Sequence, residues 1–527
     1  MLNIALFFNN SLEAIPFALT LINNKVRIIR DFRRLRFPDN IITLGYTDTI
    51  DSFRNLSIPF NSTQRRLEIL YALTIYYSKG DQPKKWKFRK SEIIGKYIAP
   101  SVITNLKQYE NSELSWSEFS KILFSQKTNL LNAVKNVYDQ LLTEYTQNSL
   151  DKLAWLETEY FIDNYFLMNQ YNGIMVDKNK IEKQLFDMNF QKYSALLYLE
   201  KNYNLDISSS YLSDEKIDEL ILSEYKDFEK TEEITSLIQV INTSDNRIES
   251  ITTVKECRID YANLIKHYST DDIPYIYPQY DVIGSSSGRI FIASPGTQYL
   301  KKSKRDIFLA QNDHTLTYFD FRNYEPGIAA GLSNDKNFIN YYNSGDMYSK
   351  IASEVYNEPE RRKDVKISIL MLLYGMSPES LHYYFKKNNN FNPDGVIHIL
   401  NGFQQLQEWK KSILDDVLKK YTVVDKTYTR KFLPNNDWKI KTSAVNHIIQ
   451  STGSRILKRC IKEIINIEGI KILIPMHDAL LCEIIDSRYV EIKEQVIRIM
   501  ESIFTDEVMY ATSRVIVTDF STEKKFL

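Results

Sequence analysis

The hydrophobic pattern divides the chain into three stretches. From residue 1 to 150, short β-like runs (Asn3 to Phe8, Val26 to Arg30, Ile41 to Tyr46) give way to helical periodicity in Gln64 to Tyr77 and Leu130 to Tyr145. That combination predicts a small α/β domain. From 151 to 265 the pattern is almost wholly helical, with Ile181, Leu185, Met188, Leu196 and Leu199 recurring at helical spacing through Lys178 to Asn202. A long antiparallel helical hairpin is the expected result. The polar stretch Thr231 to Ser250 reads either as its flexible tip or as an ordinary solvated loop. Beyond 271, β-like runs alternate with helices: Ile273 to Tyr280, Leu316 to Asp320, Ile470 to Pro475, Leu480 to Ile485 and Arg514 to Thr518. No fixed-period repeat appears, which argues against solenoids and propellers.

Composition narrows the classes. A chain of 527 residues is long enough for several domains with ample cores. Glycine is scarce, 15 residues, while Tyr (35) and Phe (27) are plentiful, so collagen-like, linker-like and low-complexity classes are excluded. The longest uncharged apolar runs, Ala14 to Ile22 and Ile367 to Met376, fall well short of the roughly 20 residues a membrane span needs. The start, MLNIALFFNNSLEA, has no basic region before its apolar run and does not read as a secretory signal. Cys257, Cys460 and Cys482 have neither disulfide-framework nor zinc spacing, so a cytoplasmic setting is expected. Lys+Arg and Asp+Glu are both 67, and the net charge of zero gives no global hint of a nucleic-acid partner.

Three separated segments carry candidate chemistry. In LTYFDFRNYEPGIAAGLS a strand-like run delivers Asp320 to its end, and Glu325 follows at a helix start. In KILIPMHDALLCEI two apolar runs flank Met476-His477-Asp478 in the manner of a hairpin presenting Asp478. Two acids 158 residues apart in the chain, each at a strand end, suggest a divalent-metal site. Magnesium takes oxygen ligands and keeps waters, so two carboxylates plus substrate phosphates suffice. Taken singly, each acid is weak evidence, since a lone strand-end Asp is more often a cap or a surface residue. In ERRKDVKISILMLLYGMS a four-residue step rotates a helix by only about 40° beyond a full turn, so Arg362, Lys366, Leu370 and Tyr374 share one face. Two cations one turn apart suit a triphosphate, and an apolar residue and an aromatic beyond them suit a sugar and a base. An amphipathic helix with a charged start and a buried middle fits the same residues.

Together these segments resemble family A DNA polymerases, the group of bacterial DNA polymerase I, over residues 155 to 527. QYDVIGSSSGRIFIASPGTQYL is similar to the family's primer-template motif, which implies DNA contacts for Arg289 and Gln298. KRDIFLAQNDHTLTYFDFRNYE is similar to motif A, implying Asp320 as a metal ligand and Glu325 as the steric gate against a ribose 2′-hydroxyl. RRKDVKISILMLLYG resembles motif B, the mobile O helix, with Arg362 and Lys366 on the triphosphate and Tyr374 beside the templating base. In TSAVNHIIQSTGSRILKRC the resemblance puts Asn446 and Gln450 on the primer-template minor groove. PMHDALLCEI resembles motif C, with His477 near the primer terminus and Asp478 as the second metal ligand.

The resemblance implies an α+β multidomain right-hand polymerase with palm, fingers and thumb, preceded by a degenerate α/β exonuclease-like domain. The expected boundaries are 1–150 for that N-terminal or docking domain, 151–280 for thumb and connection, 281–330 for the palm with motif A, 331–440 for the fingers, and 441–527 for the palm with motif C. It further implies template-directed addition of dNTPs to a primer 3′ end by phosphoryl transfer, with two Mg²⁺ ions as cofactors and Mn²⁺ as their alternative. Primer-template DNA and dNTPs are the implied partners, with a small accessory protein and a helicase as further ones, and no membrane.

Several positions depart from the family pattern. Leu370 stands where the family has Phe or Tyr, Met371 replaces a Gly, Tyr348 replaces a His that helps hold the triphosphate, Thr442 replaces an Arg beside Lys441, and Ala479 replaces a Glu. The first strand, Asn3 to Phe8, carries no acid and residues 1–150 contain no Asp-x-Glu, so proofreading is expected to be absent, and the domain is too short for an added 5′-nuclease. The basic-aromatic loop Lys84 to Lys90 reads as a DNA or partner contact or as a solvated loop. Three rivals stay open: a single-subunit RNA polymerase, a primase-polymerase of the kind carried on bacterial mobile elements such as staphylococcal cassette chromosomes, and a catalytically silent DNA-binding subunit. Phosphate contact requires local positive charge. A basic cleft is therefore expected from Lys301 to Arg305, Arg361 to Lys363 and Lys426 to Lys431, balanced by Asp214, Glu215, Asp218 and Glu219 elsewhere.

Overall fold

The computed structural model describes residues 3–8, 17–22, 25–29, 41–44, 67, 69, 71–73, 89–146, 149–203, 246–268, 275–388, 391–432, 434, 437–508 and 515–519. Among these, no helix is long and apolar enough to cross a membrane. The loop residues 84–88, the stretch 231–245 and the four acids from Asp214 to Glu219 lie outside the described residues.

The N-terminal strands β1 (Asn3–Phe8), β2 (Phe17–Ile22), β3 (Lys25–Ile29) and β4 (Ile41–Leu44) form one sheet in the order β3-β2-β1-β4. β1 pairs antiparallel with β2 and parallel with β4. β2 falls in the apolar run Ala14 to Ile22, for which the sequence pattern predicted no element. A contiguous apolar run shows no period, so neither helix nor strand is favoured by it. Ile4 to Phe8 are all 1% exposed or less, as in a strand covered on both faces. Helix α1 (Trp116–Thr146) packs against β1, and Phe8 meets the stacked rings of Tyr109 and Phe119 edge-on.

Helix α2 (Leu150–Asn172) is followed by α3 (Lys178–Tyr203) and α4 (Asn246–Leu264), which pack against each other as the apolar spacing predicts. The second half of the chain is built around a four-stranded antiparallel sheet. β5 (His314–Phe321) leads into α5 (Tyr324–Ser333), then α6 (Arg362–Leu373), α7 (Gln404–Lys420) and the long α8 (Asp437–Ile464). The hairpin β6 (Ile470–Pro475) and β7 (Ala479–Ile485), helix α9 (Tyr489–Val508) and β8 (Val515–Asp519) complete it. The order β6-β7-β5-β8 puts β5 between β7 and β8, with α8 and α9 packed together beside it.

A buried ion cluster fixes the frame behind this sheet. Lys458 of α8 donates to both carboxylate oxygens of Glu159 on α2 at 2.8 Å, and both side chains have zero exposure. Trp155 and Tyr428 also donate to Glu159, so the carboxylate is satisfied from three elements. The ring of Tyr428 in turn fills the space over Gly288, where a Cβ would lie 2.1 Å from it. Gly288 also has φ +74°, so glycine is required there twice over.

Candidate active site

Register brings the two strand-end acids together. Ala479 on β7 pairs with Asp320 on β5, and the Phe321 N–H donates to the Asp478 carbonyl at 3.0 Å. Asp478 occupies the turn between β6 and β7, and Asp320 the last part of β5. Burial raises the Asp320 carboxyl from its ordinary 3.8 to about 7, reinforced by the negative charge of Asp478. Asp478 is raised too, chiefly by burial, against the pull of Arg289, Lys366 and Lys302. Two partly desolvated carboxylates with elevated proton affinity form a hard-oxygen donor set that fits a divalent cation such as Mg²⁺, with waters and phosphate oxygens filling the remaining positions. Ala479 is fully buried across from Asp320.

Helix α6 brings Lys366 within electrostatic reach of these acids. Arg362 and Lys366 are exposed and Leu370 and Tyr374 half-buried, while Val365, Ser368, Ile369, Leu372 and Leu373 face the core. The positive field of Lys366 reaches Asp320, Asp478 and Glu325 alike. The helix stops where Gly375 takes φ +85°; a Cβ there would lie 2.5 Å from the Lys441 carbonyl. Its last turn is held from α7, where Lys410 Nζ donates to the Leu372 carbonyl at 2.9 Å, a cation on the negative end of the helix.

Glu325 lies in the first turn of α5 and joins three elements. Arg289 Nη2 donates to its Oε1 at 2.5 Å and the Tyr374 hydroxyl donates to its Oε2. Burial raises the Glu325 carboxyl, and Arg289 opposes the rise. Arg289 sits at the tip of the ribbon Tyr280–Asp281 with Phe291–Ile292, closed by the Gly284 N–H to Arg289 carbonyl bond at 2.8 Å. Gln298 braces the base of that ribbon. Its Nε2 donates to the Ile290 and Pro475 carbonyls at 3.0 and 2.6 Å, and its Oε1 accepts from the Ile292 N–H at 3.0 Å. On α8, Gln450 Oε1 accepts from Ser287 at 3.4 Å, while the buried Asn446 Oδ1 has no hydrogen-bond partner among the described residues. The exposed His477 ring lies 5.8 Å from that of Phe291.

Comparison with known proteins is decisive at the family level. The model of the family described as "DNA polymerase family A" matches residues 178–516, well over half of the chain. The chain belongs to DNA polymerase family A. Among curated proteins, DNA polymerase I of Aquifex aeolicus is 25% identical over 317 residues, 56% of this chain and 51% of that protein. DNA polymerase I of Helicobacter pylori strain J99 is 21% identical over 453 residues, 79% of this chain and 48% of that protein. The chain thus spans about half the length of these relatives. A solved structure, the POL domain of Pol1 from M. smegmatis in complex with DNA primer-template and dNTP, superposes with a TM-score of 0.72 at 15% identity, covering 99% of this chain and 95% of that one. The fold is that of a family A polymerase domain.

In this family A chain the structure links part of the set of sequence-derived site residues. Asp320, Asp478, Glu325, Arg289, Lys366 and Tyr374 are linked by the contacts and fields described above. Gln298 is committed to backbone partners and acts as a brace. The basic clusters are less open than their sequence suggests: Lys301 pairs with Glu256 and Asp260, and Arg361 with Glu358 and Asp364. The motifs did not single out Asp346, which binds Arg362, or Lys410. Asp346 left a local trace as an acid just ahead of a short helix, a capping position.

Proposed function

We propose that this chain is a template-directed DNA polymerase that adds deoxynucleotides to a primer 3′ end without 3′–5′ proofreading. The observation that carries the reading is the placement of Asp320, near the end of β5, beside Asp478 in the β6–β7 turn, under the field of Lys366 on the open face of α6. Asp320 and Asp478 would hold the divalent ions. Magnesium held there would supply Lewis acidity for the transfer. Arg362 and Lys366 neutralise the β- and γ-phosphates, a preorganised electrostatic contribution. Attack by the 3′-oxygen on the α-phosphorus, its proton passing to solvent, forms one P–O bond as the bond from the α-phosphorus to the bridging oxygen of the β-phosphate breaks and pyrophosphate leaves. Glu325, held by Arg289 and Tyr374, stands where a ribose 2′-hydroxyl would be excluded, while Arg289, Asn446, Gln450 and His477 face the primer-template.

The absence of proofreading is supported by β1, whose residues Ile4 to Phe8 are apolar and buried and offer no carboxylate. A cytoplasmic setting goes with this reading. The deciding experiment is single-nucleotide incorporation on a primed template with dNTPs or NTPs: preferential dNTP incorporation supports it, and a preference for NTPs overturns it. Synthesis on an unprimed single strand, with and without a small partner protein, separates extension alone from a primase-polymerase.

A further inference from the structure

Arg362, at the start of α6, is held from two sides by one short helix, Met347–Ile351, and its capping residue. Its Nε donates to Asp346 Oδ2 at 2.6 Å, and its Cζ stands 5.5 Å from the centroid of the Tyr348 ring. Tyr348 is 1% exposed, so the ring is a fixed wall and not a mobile ligand. Asp346 is fixed in turn: its Oδ1 accepts from the Tyr348 N–H at 3.2 Å and its Oδ2 from the Ser349 hydroxyl at 2.9 Å. Burial disfavours the Asp346 carboxylate, yet the bonds from Arg362 and Ser349 outweigh it and hold the carboxyl below its ordinary value. Neither Nη1 nor Nη2 of Arg362 has a hydrogen-bond partner among the described residues.

An arginine side chain carries large rotamer freedom, and fixing it before a ligand arrives removes that cost from binding. With Nε engaged and an aromatic face beneath, the guanidinium plane is set and its two terminal nitrogens remain as a fork for phosphate oxygens. We propose that Tyr348 is a positioning residue: it sets Arg362 in the orientation that grips the triphosphate of the incoming nucleotide, and does so through the guanidinium without touching phosphate. This rests on the polymerase reading given above.

Single-nucleotide incorporation on a primed template tests it with wild type, Tyr348→Leu, Tyr348→Phe, Arg362→Ala and the Tyr348→Leu/Arg362→Ala pair. Loss of the cation–π contact in Tyr348→Leu is expected to raise the KM for dNTP about three- to tenfold with little change in kcat or primer-template affinity. Tyr348→Phe, which keeps the ring, should stay within about twofold of the wild-type KM. In the Arg362→Ala background Tyr348→Leu should add nothing, a non-additivity that a merely structural role does not produce. An equal rise with and without Arg362, or a fall in kcat and DNA affinity instead, overturns the proposal. Tyr348→Met carries the same expectation and replaces the leucine variant if that chain does not fold. If wild type does not extend the primer, or Arg362→Ala leaves KM unchanged, the polymerase reading of α6 is what falls. If Arg362→Ala raises KM and Tyr348→Leu does not, only the positioning role falls.

Discussion

Replacing Asp320 with Asn should stabilise the metal-free protein while removing its activity. The folded chain binds the Asp320 proton more tightly than the unfolded chain, with a carboxyl at about 7 against an ordinary 3.8. Between those two values the folded form keeps a proton that the unfolded form has lost, so stability falls as pH rises through the window. Above pH 7 the full cost is present. At about 1.36 kcal/mol per pK unit it amounts to about 4 kcal/mol, and about 2 to 4 kcal/mol should be recovered by an isosteric side chain that cannot ionise. Urea and thermal unfolding at pH 8 with EDTA should show Asp320→Asn more stable than wild type, with its melting temperature raised by a few degrees. At pH 4 the wild-type carboxyl costs less than about 1 kcal/mol, and the two curves should nearly coincide. Added Mg²⁺ should stabilise wild type through mass action and leave the variant almost unmoved. A variant no more stable than wild type at pH 8, or a gain that persists unchanged at pH 4, would refute the assigned electrostatics.

Two further expectations follow from the same structure. Because a carboxylate must lose its proton to bind metal, the Mg²⁺ concentration for half-maximal extension should rise about tenfold per pH unit below pH 7, and equal requirements at pH 6 and pH 8 would contradict the raised Asp320. Lys458→Met leaves the fully buried Glu159 without its cation and should cost about 3 to 5 kcal/mol in urea unfolding, most of it regained by adding Glu159→Gln; an undiminished loss in the double variant would show that the pair matters for packing and not for charge.

What was legible in the sequence was what local pattern encodes. β5, β6 and β7 are apolar runs bounded by turn residues, so the pattern alone places Asp320 and Asp478 at strand ends. The face of α6 followed from helical geometry, and the helix ends just ahead of Gly375, whose φ is positive. The features that stayed hidden depend on partners far away in the chain. Nothing near Glu159 announces Lys458, 299 residues later, and nothing near Gly288 announces the ring of Tyr428. Gln298 looks like a free polar ligand until three backbone groups claim it. Charge runs mislead as well: Lys301 is paired with Glu256 and Asp260 of α4, far away in the chain, whereas the partners of Arg361, Glu358 and Asp364, stand in the adjacent sequence and were overlooked.

The central claim, that Asp320 and Asp478 form the reaction centre of a primer-extending polymerase, is tested most directly by extension of a primed template with dNTPs and Mg²⁺ by wild type and Asp478→Asn. The account predicts extension by wild type and a loss of at least about a thousandfold in kcat for the variant, with folding and primer-template binding retained. Extension by Asp478→Asn at the wild-type rate would contradict it.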